Sequence, residues 1–288
     1  MRSVRVRPWW AMSFFAICGA CAAPSATPVP QPAPAVQAPP ARDPLEEPWS
    51  PVRAAGSFSH TIRLSSTLVS RIDSVDRTDS SAVMLAVEWS RLAGAEPARL
   101  SGLITDYRLA SGALESTTLP GLVLPVPFTA LEGNGAVQTR LVAPASGACG
   151  LQAAVMLPLR ELFVSAPPRL RAGTQWSDSA SYSVCRDSIP LQVESVRSYR
   201  VTGAALRGTD LVVLVDRTSR VTLTGEGRQF GETLTIAGEG SGTMQLELRA
   251  TDATIESARG ESELRMTMRG RRRAQELRQH TRIEIASP

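Results

Sequence analysis

Apolar and polar side chains alternate with a period of two through most of the chain beyond residue 55. In the first such segment serines, threonines and an arginine share one face, and the other face carries Phe58, His60, Ile62, Leu64 and Leu68. Successive side chains of a β-strand point to opposite faces, so this pattern is typical of a strand with one buried face. Its recurrence to the C-terminus predicts a mainly β fold.

Turn signals divide the alternating region into about 11 strands that follow one another in sequence. Asn134-Gly135 predicts one hairpin, and Gly-Glu-Gly at 225–227 and at 238–240 predicts two further corners. The candidate strands after Pro190 are 192–203, 209–224, 228–238, 241–252, 255–269 and 273–286. We therefore expect a large antiparallel up-and-down sheet, curled into a barrel or half-barrel, with one short mid-chain helix.

The predicted helix lies in the segment between Cys149 and Cys185. Pro158 suits a first helical turn, and the apolar residues that follow at helical spacing are Leu159, Leu162 and Phe163. Pro167 and Pro168 would end the helix. We expect this insertion, 149–185, to place the helix and Trp176 over the sheet.

The N-terminus has the pattern of an export signal over residues 1–20. Three arginines precede an apolar run, Trp9 to Ile17, that is far shorter than the ~20 residues of a membrane-spanning helix. Gly19 and Ala20 then stand directly before Cys21. This resembles the lipobox of bacterial lipoproteins, with the departure that Cys18 occupies a position where the family usually has an aliphatic residue.

The lipobox resemblance implies that Cys21 carries acyl chains such as palmitate and anchors the protein in a membrane of the cell envelope. Ala22 lacks the acidic side chain that retains lipoproteins at the inner membrane, so the resemblance implies the outer membrane, facing the periplasm. Ordinary cleavage nearby is the alternative, and it would release a soluble periplasmic or secreted protein.

Cysteine usage agrees with export. The four cysteines are Cys18, Cys21, Cys149 and Cys185. Processing removes the first and acylates the second, which leaves Cys149 and Cys185 to form a disulfide bond in an oxidising compartment.

Residues 21–54 are predicted to be a disordered tether. Ten prolines lie between positions 22 and 53, in a background of Ala, Val, Gln and Ser. Such a stretch favours extended polyproline II and buries little apolar surface. The remaining residues, 55–288, are predicted to form a single domain.

Charge and composition disfavour several function classes. The net charge of +4 falls to +1 without Arg2, Arg5 and Arg7, so no strong field would attract nucleic acid. No lysine occurs, and the sequence contains no familiar catalytic or cofactor-binding motif. The two histidines, His60 and His280, would be neighbours only if the first and last strands approach, and two histidines make too small a set for a metal site. We predict a non-enzymatic protein without cofactor or metal.

Two sets of residues are candidates for binding. Arg269, Arg271, Arg272 and Arg273 form the densest charge run, which is either a solvated turn or an anion contact. The inner face of the sheet would be lined, as a cavity or as a filled core, by apolar side chains. These are Phe58, Ile62, Leu64, Val83, Leu85, Val87, Leu159, Leu162, Phe163, Trp176, Met244, Leu246, Met266 and Met268.

The tether, the meander, the mid-chain helix and the element Gly173, Trp176 and Asp178 together resemble uncharacterised bacterial envelope lipoproteins. More remotely, they are similar to LolA-like carriers and mycobacterial lipid-binding lipoproteins, whose half-barrels have helices over an apolar concave side. The resemblance implies a membrane-anchored envelope protein that binds or carries a lipid or another hydrophobic ligand. The alternative is a structural or protein-docking module of the envelope, with a filled core and no ligand.

Overall fold

The computed structural model describes residues 47–72, 75–92, 98–112, 114–116, 123–133, 136–141, 152–186, 189–229, 231–271 and 274–288. These residues contain twelve strands and one helix. The strands are β1 (Gly56–Ile72), β2 (Val75–Arg91), β3 (Ala98–Ser111), β4 (Leu114–Ser116), β5 (Val126–Gly133), β6 (Ala136–Leu141), β7 (Gln175–Arg186), β8 (Ile189–Arg207), β9 (Asp210–Gln229), β10 (Glu232–Arg249), β11 (Ile255–Arg269) and β12 (Ala274–Ala286), and the helix is α1 (Gln152–Glu161).

All twelve strands belong to one antiparallel sheet. Their order is β6-β5-β3-β2-β1-β12-β11-β10-β9-β8-β7, and β4 pairs with β3 outside this path. The first and last strands are neighbours, with Leu64 opposite Ile283. The chain therefore extends the sheet in two directions from its centre, and the connection that contains α1 joins the two halves. The predicted mainly β fold, an antiparallel half-barrel with one mid-chain helix, is confirmed.

The two predicted Gly-Glu-Gly corners are wrong, because both triplets lie inside long strands. Residues 225–227 belong to β9, and residues 238–240 belong to β10, so 228–238 and 241–252 are not separate strands. A Cβ at Gly225 would lie 2.5 Å from Leu191 Cδ2, and one at Gly238 would lie 2.8 Å from Met266 Cγ. These glycines let side chains of neighbouring strands lie close to the backbone, and they do not turn the chain.

The prediction for the helix was wrong in its start. Helix α1 begins at Gln152, six residues before the predicted first turn, and Pro158 lies in its second half. Ala153, Ala154, Met156 and Leu157 are good helix formers and extend the helix at its N-terminal side, and the proline costs it one hydrogen bond. Leu162 and Phe163 follow the helix and are buried.

Trp176 was also expected to cover the sheet, and that expectation is wrong. It is the second residue of the edge strand β7, and its indole stacks on Tyr199 of β8 with 4.9 Å between ring centroids. Trp176 is therefore part of the sheet, whereas α1 and the residues directly after it lie over the inner face.

The folded part of the chain begins before the predicted boundary at residue 55. Trp49 is buried, and its backbone N–H donates to the carbonyl of Leu170 while the Leu170 N–H donates back. Val52 N–H donates to the carbonyl of Thr251. Trp49 and Val52, assigned to the tether from composition, are therefore attached to the domain, and the aromatic side chain of Trp49 reaches its core.

The inner face, which is the face packed against α1, carries two apolar clusters. The helix-side cluster joins α1 and the segment after it to the inner residues of most strands, and it includes Trp49, Trp89, Phe128, Leu159 and Phe163. The far cluster lies toward the opposite end of the strands and contains Ile189, Leu191, Val193, Leu223, Leu234, Ile236, Met266, Met268 and Leu277.

Candidate functional site

A row of small residues crosses the inner face between the two apolar clusters. Strand pairing places their Cα atoms opposite one another from β9 to β2, so they form one continuous line across the sheet. The members are Ser219, Gly242, Ser262, Thr281, Ser66 and Ser81. All six are half-buried, and we call this line the hydroxyl row.

A second half-buried row lies directly beside the hydroxyl row, on the side of the far cluster. Its members are Val221, Gly240, Leu264, Gln279 and Leu68. On either side of the two rows the inner face is buried, by Met244 and Ile283 on one side and by Leu223, Met266 and Leu277 on the other. Because Ser, Thr and Gly are shorter than Met, Leu and Ile, the hydroxyl row is the floor of a depression. We call the two rows together the inner trough.

The trough is polar along one side and mainly apolar along the other. In its polar part the Gln279 amide donates to Ser66 Oγ at 2.9 Å, and Ser66 Oγ lies 3.3 Å from Thr281 Oγ1. The other side presents Val221, Leu264 and Leu68. Such a surface matches an elongated ligand with one apolar side or tail.

A buried ion pair continues the hydroxyl row at its β8 end. Arg197, which pairs with Ser219 across β8 and β9, donates from Nε and Nη2 to the two oxygens of Asp178 at 2.7 and 2.8 Å. Tyr199 Oη donates to Asp178 Oδ2 at 3.0 Å. The Asp178 side chain is 1% exposed and that of Arg197 is 9% exposed. Burial raises the pKa of the Tyr199 hydroxyl, so this group stays a donor to the carboxylate.

The last residues of α1 add two more charges over the same end of the trough. Arg217 of β9 donates from Nη1 to Glu161 Oε2. The guanidinium carbon of Arg160 lies 3.9 Å from the centroid of the Tyr182 ring. Burial disfavours ionisation of Glu161, but the positive charges of Arg217, Arg197 and Arg160 outweigh it and lower the pKa of that carboxyl. Glu161 is therefore ionised in the folded protein.

Arg160, Arg197 and Arg217 with Asp178 and Glu161 form what we call the charge cluster. Three guanidinium groups face two carboxylates, so one positive charge has no counter-ion among the cluster's own residues. Burial lowers the pKa of Arg160, because its charged form is less stable there than in water. Arg160 Nη1 and Arg217 Nε are buried and have no hydrogen-bond acceptor in the described part of the chain.

His60 and His280 do not form a site together. The register of β1 and β12 places His280 opposite Thr67, seven residues along β1 from His60, so about 24 Å of strand separates them. His60 is buried in the helix-side cluster, where Nε2 lies 2.7 Å from the Ile255 carbonyl oxygen and Nδ1 accepts from Trp89 Nε1 at 3.1 Å. Within the described ranges, no group of three or more His, Cys, Asp and Glu side chains is arranged to hold a metal ion.

The other predicted site residues are distributed as follows. All fourteen predicted lining residues belong to the two apolar clusters or pack against them. Cys185 is disulfide-bonded, whereas Cys149, its predicted partner, lies outside the described residues, as does Cys21. Arg269 and Arg271 are exposed at the end of β11, and Arg272 and Arg273 lie outside the described residues. The pairing, the lipidation and the anion contact stay predictions.

Sequence reasoning missed the trough and most of the charge cluster. It quoted Asp178 only as part of a resemblance, and it gave no role to Arg160, Arg197 or Arg217. The available signal was the placement of Ser66, Ser219 and Ser262 at inner positions of strands whose other inner positions are mostly apolar.

No protein-family model matches this chain, and no curated protein matches it significantly. In the part of the chain that the structure describes, no helix combines the length and the apolar character needed to cross a bilayer.

Proposed function

We propose that this protein is a lipid-anchored component of a bacterial cell envelope whose half-barrel holds an elongated hydrophobic or amphipathic ligand in the inner trough. The observation that carries the proposal is the half-buried strip between two buried apolar clusters on one sheet face. A sheet face packed only for stability would place large side chains there, as the helix-side half does. Small residues at these positions leave room for a bound molecule.

Non-catalytic binding fits the chemistry of the trough. Its described hydroxyl groups have no histidine or free carboxylate beside them that would act as a general base. Asp178, the buried carboxylate at the β8 end of the hydroxyl row, is engaged by Arg197 and Tyr199. His60 uses both ring nitrogens in hydrogen bonds within the helix-side cluster.

The envelope location rests on the resemblance of the N-terminus to a lipobox. Acyl chains on Cys21, each CH₂ worth about 0.8 kcal/mol when buried, would hold the protein at a membrane. The proline-rich segment before Trp49 would give the domain its reach. In cells that process lipoproteins, the wild-type chain should fractionate with membranes and carry a lipid adduct, and Cys21→Ser should do neither. Membrane retention of Cys21→Ser without an adduct would refute the anchor.

Ligand binding is tested by native mass spectrometry of the full chain purified from membranes. We expect a non-covalent lipid adduct on the wild-type chain. Ser262→Leu fills the centre of the trough and should abolish the adduct. Ser241→Leu makes the same change on the outward, exposed face of the neighbouring strand β10 and should leave the adduct in place. Absence of an adduct from the wild-type chain, or its persistence in Ser262→Leu, contradicts a ligand in the trough.

The alternative function, a docking module without ligand, is favoured by the packing beneath α1. Val155 and Leu159 are fully buried there, against a core that includes Trp89, Phe128 and Phe163. The space between α1 and the sheet is thus occupied by side chains. A stable partner protein that co-purifies with the wild-type chain, in the absence of any lipid adduct, would favour this alternative.

A further inference from the structure

We infer that the ligand of the inner trough is a single-chain amphiphile with an anionic headgroup, a carboxylate or a phosphate monoester, and that Arg160 binds the headgroup at the β8 end. This inference rests on the proposed function and specifies its ligand class. The geometry that points to it is the position of the charge cluster at one end of a strip that is polar on one side and mainly apolar on the other.

The charge cluster has one more positive charge than negative charges. Arg197 is fully engaged in a two-point contact with Asp178, and Arg217 is engaged with Glu161. Arg160 has no carboxylate at ion-pair distance among the described residues. It stands over the Tyr182 ring, which stabilises a cation but accepts no directed ion pair. Burying a guanidinium without an anion is unfavourable, so an anion from outside the protein would complete this site.

The charge cluster also contains buried N–H donors that have no acceptor. Arg160 Nη1 and Arg217 Nε are both buried without an acceptor in the described structure. An unmet N–H of a charged group is among the costlier defects of a protein interior. An anionic headgroup supplies acceptor oxygens, and guanidinium groups bind carboxylates and phosphates through paired N–H donors.

The rest of the ligand would lie along the inner trough. The cluster reaches the trough through Arg197, which is in register with Ser219 of the hydroxyl row. From there to β1 the trough crosses five strand intervals, or about 24 Å at the usual spacing. An alkyl chain would extend along Val221, Leu264 and Leu68, with the far cluster beside it. A ligand with a charged group at both ends would place its second charge on this apolar side and is disfavoured.

The test compares three ligands of equal chain length: hexadecanoate, hexadecyl phosphate and neutral hexadecanol. The full chain is delipidated and immobilised, and retention of each radiolabelled ligand is measured at pH 8 in one fixed concentration of detergent. We expect at least one of the two anions to be retained about tenfold more tightly than hexadecanol, since one charge-assisted contact is worth about that factor. The anion that is preferred identifies the source of the headgroup.

Two variants assign the preference to Arg160. Arg160→Gln and Arg160→Met remove the charge, and the second keeps a long apolar stem for packing on Tyr182. In the variants that retain hexadecanol as the wild type does, the anion preference should fall to near one. Arg200→Gln removes an exposed, outward-facing arginine of β8 and should keep the tenfold preference.

The outcomes separate the two proposals. Failure of the wild-type chain to retain any of the three ligands contradicts the proposed function itself. Equal retention of all three leaves the proposed function standing and overturns the inference about the headgroup. A preference that survives in Arg160→Gln or Arg160→Met overturns the assignment to Arg160. Loss of hexadecanol retention in both variants also overturns it, because Arg160 would then be a structural residue.

Discussion

The same strands are built differently in the half beneath α1 and in the trough. In β10 the inner positions of the covered half are Met244, Leu246 and Leu248, all buried. The next inner positions toward the far cluster are Gly242 and Gly240, both half-buried. Strands β1 and β12 change in the same way where they cross the hydroxyl row. Along these strands large side chains occur beneath α1 and again in the far cluster, and small ones occur in the trough between the two.

This difference shows that one long strand can have a tightly packed inner face along one part of its length and a half-buried one along another. A strand of about 18 residues is roughly 60 Å long, which is several times the width of one helix. Helix α1 has ten residues and covers only part of that length. The part of the inner face that α1 does not cover is therefore available for binding. The charge cluster lies where this part meets the half beneath α1.

The largest expected effect concerns this boundary. Asp178→Asn removes the negative charge and leaves Arg197 buried without a counter-ion, so we expect the free energy of unfolding to fall by about 3–5 kcal/mol. Urea denaturation followed by tryptophan fluorescence measures it. The matched control is Asp76→Asn, since Asp76 pairs with Arg71 on the exposed surface and should change the midpoint very little. If the two variants lose the same free energy of unfolding, the buried ion pair does not stabilise the boundary between the two regions.

The sequence was informative about the fold for a physical reason. Alternation depends only on which side chains face a core, so strands such as β1 and β11 could be placed from their pattern. Gly225 and Gly238 misled the placement of β9 and β10, because glycine serves both tight turns and close packing of side chains across strands. Choosing between these uses requires knowing the neighbours, here Leu191 and Met266, which are distant in sequence.

The candidate site was not predictable to the same degree. The hydroxyl row is assembled from six strands, and its existence depends on register, which the local pattern does not specify. The charge cluster joins the end of α1 to β7, β8 and β9. In the sequence Arg160 is one polar residue of a helical segment, and Arg197 and Arg217 are single charges in segments of alternating pattern. Their common location appears only when strand pairing is known.

The second prediction makes the same substitution in both regions. Leu159→Ala removes a fully buried side chain of α1 and should lower the free energy of unfolding by about 3 kcal/mol. Leu264→Ala removes a half-buried side chain of the trough and should lower it by about 1 kcal/mol. Denaturant midpoints at a common slope give both values. A loss at Leu264 as large as that at Leu159 would mean that the trough is packed like the covered half.

The third prediction uses pH to probe the covered half alone. Burial lowers the pKa of His60 below its ordinary value of 6.5, so the unfolded chain binds this proton more readily than the folded chain. Stability from this group is therefore complete above about pH 6.5 and is lost as the pH falls below it. The carboxyl groups of Glu161 and Glu256 have pKa values below their ordinary 4.5, so their effect comes at lower pH.

Denaturation between pH 4.5 and 7.5 isolates the contribution of His60. The wild-type chain should lose stability as the pH falls from 6.5. His60→Gln, which has no ionisable group at this position, should be less stable at pH 7.5 and show a smaller change with pH. An identical pH dependence in the two chains would contradict a buried, neutral His60.

The smallest expected effect lies on the floor of the trough. Ser66→Ala removes the hydroxyl that accepts from the Gln279 amide at 2.9 Å, and we expect the free energy of unfolding to fall by about 0.5–1 kcal/mol. Water reaches this half-buried site and can replace the lost acceptor, which keeps the cost low. Ser219→Ala is the control in the same row, and its free energy of unfolding should lie within about 0.5 kcal/mol of the wild-type value.

If the hydroxyl row binds a ligand, both variants should lower the free energy of binding an added amphiphile by more than they lower the free energy of unfolding. A loss of stability at Ser66 well above 1 kcal/mol, with ligand retention unchanged, would instead make the row a structural element of the sheet.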